Sequence, residues 1–345
     1  MANDKISTGL GEFSKERFNA LIKVRETALD SIRDFLKRHG YKEVTTSSLV
    51  NIAGSCENPN ASFTLNYYGR EAHLSQSAQI QLEALVIRLK RGVFTVNNSF
   101  REENYDDPEV KGRRLSEFTL IEPEKPLGGA TCEEALWEII KEEASLIRCA
   151  IRDVRNNCLR EISLLDGNIF DLERLSKFDS EFKVITYDDA LKLLNKEGRN
   201  YKFGDDLNIK EERKILAFFE NIPTFVTYYP ASIKFFNMKR TKDGQRVYSV
   251  DLLMPKLGEV SGGAVREWNG EVIKKQLLES KIADFLRSKG QDPIAPFTEY
   301  FKLFEQEEPV LRGGYGIGFE RFIGFLLGSN DILETIAYKT FYPGV

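Results

Sequence analysis

The sequence predicts an α+β fold, an antiparallel sheet flanked by helices. Strand-like runs dominate both ends of the chain, and amphipathic helical stripes lie between them rather than alternating with strands one for one. The Gly-rich run GYGIGF at 314–319 has neither the spaced glycines of a dinucleotide fold nor the Lys-Ser/Thr of a phosphate loop, which sets both of those families aside.

Residues 14–39 place Phe18, Leu21, Ile22, Ala28, Ile32, Phe35 and Leu36 on one helical stripe, with Ser14 as N-cap and Gly40 as the stop. Residues 41–50 alternate as a strand. After a Gly/Asn/Pro-rich loop at 54–61, SFTLNYYG and REAHLS form a hairpin around Gly69, and residues 76–91 read as a helix. RGVFTVNNSFRE and RLSEFTLIEPE are two strands joined by the loop NYDDPEVKG. Residues 132–165 form a long amphipathic helix, acidic early and more basic later, as the helix dipole favours. From about 166 to 225 the pattern is short and mixed, with ITYDDALKLLNKEG a strand followed by a helix, and a small inserted module is expected there within one dominant domain spanning 1–345. TFVTYYP, KFFNMKR, VYSVDLLMP and GEVSGGAVREW return to strands. A helix over 271–289, a loop, and a Gly-rich strand running into a helix (RGGYGIGFERF, 312–322) close the sequence.

Composition bounds the function. Across 345 residues, 30% charged and 41% apolar, the formal charge is −4, which gives no global attraction for polyphosphate chains. Cys56, Cys132, Cys149 and Cys158 include no C-x-x-C pair, so neither a zinc site nor a disulfide framework is suggested, and a reducing cytoplasmic location is expected. No apolar run approaches the roughly 20 residues needed to span a bilayer, so no membrane partner is expected. With His39 and His73 the only histidines, a Ser-His triad or a His-based metal centre is not expected, and each His reads as a surface or packing residue.

Three stretches carry chemistry. In FREENYDDPEVKGRRLSEF (100–118), strand alternation puts Arg101 and Glu103 on one face, opposite Arg113, Arg114, Glu117 and Phe118 at the start of the return strand. Arginine forks hold phosphate oxygens, Glu accepts from an exocyclic amine and Phe offers a stacking surface, an inventory suited to a nucleoside triphosphate. A solvated hairpin with surface ion pairs is the alternative. In VDLLMPKLGEVSGGAVRE, Asp251 and Glu259 lie on neighbouring strand segments, and such a carboxylate pair near phosphate-binding arginines suits Mg²⁺. Gly262 and Gly263 would admit a ligand close to the backbone, although a bulged strand with a structural Arg266 also fits. In RGGYGIGFERF, Arg321 falls on the first turn of the closing helix.

Together these stretches resemble the signature motifs of the class II aminoacyl-tRNA synthetase fold, in particular the catalytic core of the asparaginyl and aspartyl enzymes, and the likeness runs from residue 14 to the end. The resemblance implies ATP and Mg²⁺ as cofactors and assigns roles. Arg101 matches the arginine on the α-phosphate and reacting carboxylate, Glu103 the adenine-amine reader and Phe118 the adenine-stacking ring. Arg321 and Arg113 match the terminal-phosphate arginines, Arg321 also covering the adenine, and Asp251 and Glu259 match the Mg²⁺ carboxylates. Ser77, Gln79 and Glu57 match positions around the substrate α-amino group, and Arg266 the arginine reaching its side chain. Glu83 stands where aspartate-specific relatives, including archaeal asparagine synthetase, carry Lys and asparagine-specific ones Glu; a carboxylate there repels a second one and favours an amide. A surface Glu on the helix is the alternative.

The departures from the family pattern are Thr46-Ser47 in place of the first-motif proline, Arg114 in place of a His, Leu333 in place of an Arg, and Lys339-Thr340 in place of Pro-Arg. The family's anticodon-binding barrel is not expected in this sequence, whose core motifs begin almost at once. Sequence alone therefore favours an enzyme that forms an aminoacyl-adenylate from asparagine or an aspartate-like amino acid and passes it to ammonia or an amine. Asparaginyl-tRNA ligation by the bare core and a non-catalytic regulatory subunit are the alternatives. The resemblance also implies a homodimer.

Overall fold

The computed structural model describes residues 14–52, 58–104, 110–177, 182–196 and 198–337. Its strands are β1 (Lys42–Glu43), β2 (Leu49–Val50), β3 (Thr64–Tyr67), β4 (Arg70–Leu74), β5 (Val93–Phe100), β6 (Glu117–Pro126), β7 (Lys183–Thr186), β8 (Thr224–Thr227), β9 (Ser249–Met254), β10 (Gly258–Val265) and β11 (Arg312–Gly318). The helices are α1 (Lys15–Arg38), α2 (Gln79–Leu89), α3 (Cys132–Leu164), α4 (Ile169–Leu175), α5 (Tyr187–Asn195), α6 (Ile209–Phe218), α7 (Gly270–Leu278), α8 (Lys281–Ser288), α9 (Thr298–Gln306) and α10 (Phe319–Leu327).

Eight strands form one sheet in the order β1-β5-β6-β11-β10-β9-β8-β7. The pairs at its two ends, β1–β5 and β7–β8, are parallel and the five between are antiparallel, as the strand pattern predicts. One face is sealed by α1 and α3. Ser14 Oγ caps the Arg17 amide of α1, and Gly40, at φ +87°, takes the left-handed conformation that ends it. Thr131 and Glu134 close a capping box at the start of α3. Leu21, Val24, Ile32 and Leu36 of α1 interlock with Ile139, Leu146, Ile147 and Ile151 of α3 and with Phe94, Ile121, Val250 and Leu252 of the sheet. Ile22, expected on that stripe, is 41% exposed.

The opposite face is covered only at its flanks. At one side α5 and α6 pack Leu191, Leu194, Ile215 and Leu216 onto Val226 and Leu253. At the other, α2 packs Leu82 and Val86 against Val93, and beside it α7, α8 and α9 gather Ile273, Leu277, Ile282, Leu286 and Tyr300 around Phe236 and Phe297. The strip of sheet left between them is the floor of a cleft. Residues 183–186 and 224–227 continue the large sheet, so the segment expected as an inserted module supplies one wall of that cleft. A smaller sheet, β2-β4-β3, contains the hairpin expected at Gly69, where Tyr68 and Gly69 both have positive φ.

Four local expectations are corrected. Residues 41–50 split into β1 and β2. KFFNMKR makes only isolated bridges, Met238 to Arg266 and Arg240 to Val247, because Gln276 of α7 takes the Phe236 and Met238 carbonyls. The helix over 271–289 breaks at Ser280, whose hydroxyl caps the Ala283 amide and starts α8. The stretch before residue 312 contains α9.

Glu143 of α3 is buried beneath the floor. One of its oxygens accepts from Ser261 Oγ, and Oε2 has no partner among the described residues. Burial pushes its pKa up to about 8, against 4.5 for a free Glu. A carboxyl raised on folding subtracts stability as pH climbs from its unfolded to its folded value. Glu143→Gln is therefore expected to gain about 4 kcal/mol more over wild type at pH 9 than at pH 5, where its gain is less than about 1 kcal/mol. Urea unfolding at both pH values checks this; an equal effect at both would contradict it.

Candidate active site

The cleft has a volume of 1120 Å³ and is lined along its length by cations and carboxylates. Its floor follows from strand register. Asp251 pairs with Gly262, and Gly262 with Gly316. Two side-by-side glycines leave the middle of the floor bare. Phe118, Leu120, Glu122 and Glu124, two residues apart on β6, face the same cleft.

At one end, Arg101, Arg113, Arg114 and Arg321 converge. Arg101 and Glu103 lie just beyond the end of β5, and Arg113 and Arg114 in the turn before β6, so these side chains are carried by the chain leaving and re-entering the sheet rather than by strand faces. The Arg101 guanidinium stands 5.3 Å from the Phe118 ring centre. Arg114 Nη1 lies 3.3 Å from Glu103 Oε2, an ion pair whose arginine side is 52% exposed. Such a pair is easily exchanged for a ligand. Arg113 Nε is buried with no partner among the described residues. Burial lowers the Arg113 pKa, Glu212 opposes that shift, and the like charges of Arg321, Arg213 and Arg114 add to it. Mutually repelling guanidiniums held together in this way are relieved by an anion with several charged oxygens.

Asp251 and Glu259 meet at the centre. A register shift between Glu259 and Ser261 is a β-bulge, and it turns Glu259 onto the Asp251 face. A Cβ placed on Gly262 would lie 3.2 Å from Asp251 Oδ1 and 3.4 Å from Glu259 Oε1, so both carboxylates border the space that this glycine leaves open. Lys234 donates to both Asp251 oxygens at 2.7 and 2.5 Å and sits 4.1 Å from the Tyr229 ring. Burial pushes the Asp251 pKa up, with Lys234 opposing and Glu259 reinforcing the shift. Glu212 of α6 accepts from the Glu259 amide at 2.9 Å and adds, beside buried Asp251 and the half-exposed Glu259, a further buried carboxyl. Arg321 Nη1 donates to the Glu259 carbonyl at 2.5 Å and stands 3.9 Å from its carboxylate. Among the described residues no three His, Cys, Asp or Glu side chains form a metal cluster. Two carboxylates suffice for Mg²⁺ when substrate phosphates supply the remaining ligands, and the residues present fit that requirement.

The far end is buried. Ser77 Oγ donates to Glu122 at 2.5 Å, the Ala78 amide donates to its other oxygen at 2.9 Å, and Gln79 turns its amide nitrogen to Glu83 at 3.2 Å. Arg266 lines the cleft and pairs with Glu124, Nε at 3.2 Å and Nη2 at 3.1 Å. Burial pushes Glu124 toward its neutral form while this pairing pulls the other way. Glu83 does not line the cleft: it is 0% exposed and buried behind it. That disposes of the surface-Glu alternative and places its charge in a layer of side chains, Arg312, Tyr300 and Asn237, that motif reading did not find. Removing one partner of such a buried pair costs about 3–5 kcal/mol. Glu57 lies outside the described residues, as do Cys56, Lys339-Thr340 and most of the loop NYDDPEVKG. The cleft thus brings together Arg101, Glu103, Arg113, Phe118, Arg321, Asp251, Glu259, Ser77, Gln79 and Arg266.

Glu122 and Glu124 were within reach of sequence reasoning, because they continue the period-2 row that begins at Phe118. Lys234 and Asn237 were not, since they sit in a segment taken for a strand. Among the described residues no helix is long and apolar enough to cross a membrane.

The model of the family described as tRNA synthetases class II (D, K and N) matches residues 7–341. The asparagine–tRNA ligase of Pyrococcus furiosus is 32% identical over 327 residues, covering 94% of this chain and 68% of that protein. That of Clostridium botulinum is 30% identical, covering 93% and 70%. The crystal structure of asparaginyl-tRNA synthetase from Pyrococcus horikoshii complexed with asparaginyl-adenylate superposes with a TM-score of 0.81 at 30% identity, covering 94% of this chain and 69% of that one. A helix-flanked antiparallel sheet, an arginine-rich cleft and a family match over nearly its whole length show that the chain belongs to the class II tRNA synthetases, and it is an ATP-dependent ligase of that type.

Proposed function

We propose that this enzyme activates asparagine with ATP, forming asparaginyl-adenylate and pyrophosphate, and transfers the asparaginyl group to tRNA. The observation that carries the reading is a single continuous cleft whose one end gathers guanidinium groups and whose other end is lined by the buried side chains of Ser77, Glu122, Glu124 and Arg266, a size and polarity suited to a small amino acid. The relatives it matches are named as asparagine–tRNA ligases. That name favours tRNA over the ammonia or amine acceptor expected from sequence alone.

In the proposed reaction a carboxylate oxygen of the amino acid attacks the α-phosphorus in line, the bond to the bridging oxygen breaks, and pyrophosphate leaves. The protein supplies position and charge rather than a covalent nucleophile. Arg101 leaves the Phe118 face to meet the α-phosphate and the incoming carboxylate, and Phe118 then stacks on adenine. Glu103 exchanges Arg114 for the adenine amine. Arg113 and Arg321 hold the terminal phosphates. Mg²⁺, held by Asp251 and Glu259 with phosphate oxygens, would neutralise charge on the departing pyrophosphate. Ser77 and Gln79 bound the α-amino end, and Arg266 offers its remaining Nη1 to the side-chain carbonyl. A two-fold dimer belongs to the same proposal, and light scattering that gives the mass of one chain would remove that part.

The acceptor step is tested by incubating the enzyme with ATP and labelled asparagine, in parallel with total tRNA, ammonium and a primary amine. Acid-precipitable label that RNase releases is expected. Product with ammonium or the amine, and none with tRNA, would overturn the proposed acceptor.

A further inference from the structure

Arg312, 0% exposed at the start of β11, places Nε 3.1 Å and Nη2 2.5 Å from Glu83 Oε2. Tyr300 donates its hydroxyl to the same oxygen at 2.9 Å. The other oxygen accepts from Asn237 and, at 3.2 Å, from Gln79. A carboxylate offers about four acceptor positions. The donors already converging on Glu83 fill them, and none is left for a ligand. Arg266, which does face the cleft, spends Nε and Nη2 on Glu124 and Gly314, yet its Nε is only 4.0 Å from Glu83 Oε1. It stands between two carboxylates, and the position of Arg312 decides which of them it serves.

We propose that Arg312 is the positioning residue that sets amino-acid selectivity. By engaging Glu83 it commits Arg266 to Glu124 and to the substrate side chain. It also balances the layer beneath Arg266, with Arg266 and Arg312 against Glu83 and Glu124, while the third buried carboxylate, Glu122, is held by the Ser77 hydroxyl and the Ala78 amide. The inference rests on the amino-acid-activating reading above and names its selectivity device. An uncharged side chain ending in a carbonyl acceptor leaves the balance intact beneath Arg266. A side-chain carboxylate adds an unpaired charge in buried surroundings and is refused. Discrimination therefore comes from charge balance and not from a substrate bond to Glu83.

The test is calorimetric binding of asparagine and aspartate, beside KM for each amino acid and for ATP, in wild type, Arg312→Gln, Arg312→Lys and the double variant Glu83→Gln/Arg312→Gln. In Arg312→Gln, Glu83 is left to draw Arg266 off Glu124, and asparagine binding is expected to weaken roughly 100-fold while KM for ATP stays within about threefold. Arg312→Lys keeps the charge and is expected to lose about tenfold or less. The double variant restores a neutral layer and should recover asparagine binding to within about fivefold of wild type, still preferring asparagine to aspartate. If Arg312→Gln does not fold, the double variant, which buries no unpaired charge, decides alone. Unchanged asparagine binding in Arg312→Gln, or a double variant as weak as the single or without preference, overturns the inference while leaving the activation reading standing. Wild type that binds neither amino acid overturns both.

Discussion

Replacing Arg321 by Ala is expected to lower asparagine-dependent ATP–pyrophosphate exchange by roughly 1000-fold or more, with thermal unfolding little changed. Arg321 sits on the first turn of α10, its side chain 29% exposed, with its end lying between the Glu259 carbonyl and the Arg113 guanidinium. Without ligand it attracts the buried Glu212 carboxylate and stands 3.9 Å from the half-exposed carboxylate of Glu259. Its removal takes away those attractions and one hydrogen bond to Glu259 and relieves repulsion on Arg113, effects of opposite sign. In the proposed reaction it supplies charge where the leaving pyrophosphate gathers it, in a cleft where a positioned cation acts far more strongly than in water. The loss should fall on kcat as well as on KM for ATP. Exchange retained within about tenfold would mean that these phosphates lie elsewhere.

Gly262→Ala is expected to cut exchange about 100-fold and to raise the Mg²⁺ concentration needed for half-maximal rate at least tenfold. The added methyl would stand 3.2 Å from Asp251 Oδ1 and 3.4 Å from Glu259 Oε1, in the space the two carboxylates border. It points into the open cleft, so the fold should tolerate it. The neighbouring Gly263→Ala is the contrast: its Cβ would come 2.8 Å from the Tyr315 Cβ and 2.9 Å from the Gly314 carbonyl, and it should reduce stability first. Mg²⁺ titration of exchange, with Mn²⁺ binding to the enzyme–ATP complex followed by spin resonance, checks the first variant. An unaltered metal dependence would remove the cation from this position.

Much of this architecture was legible because it rests on local periodicity. The stripe from Leu21 to Leu36, its Ser14 cap and the Gly69 turn are each decided by residues a few positions apart, and tertiary packing agreed with them. The cation-rich end of the cleft was legible for a similar reason, since Arg101, Arg113 and Phe118 crowd one short stretch. What escaped is set by long-range packing. Glu83 and Arg312 are 229 residues apart, and neither the Gly-rich run after Arg312 nor the helix around Glu83 signals that the two charges meet. Alternation alone does not locate the bulge that turns Glu259 toward Asp251. KFFNMKR is rich enough in aromatic residues to read as a strand, yet Gln276 holds its carbonyls and leaves Lys234 and Asn237 to serve the cleft and the layer behind it.

Pyrophosphate exchange with a panel of amino acids is the most direct measurement. With wild-type enzyme, ATP and Mg²⁺, exchange should be strong with asparagine, at least about 100-fold weaker with aspartate, and absent without an amino acid. No exchange with any amino acid would contradict the activating function, and aspartate outpacing asparagine would contradict the charge-balanced pocket.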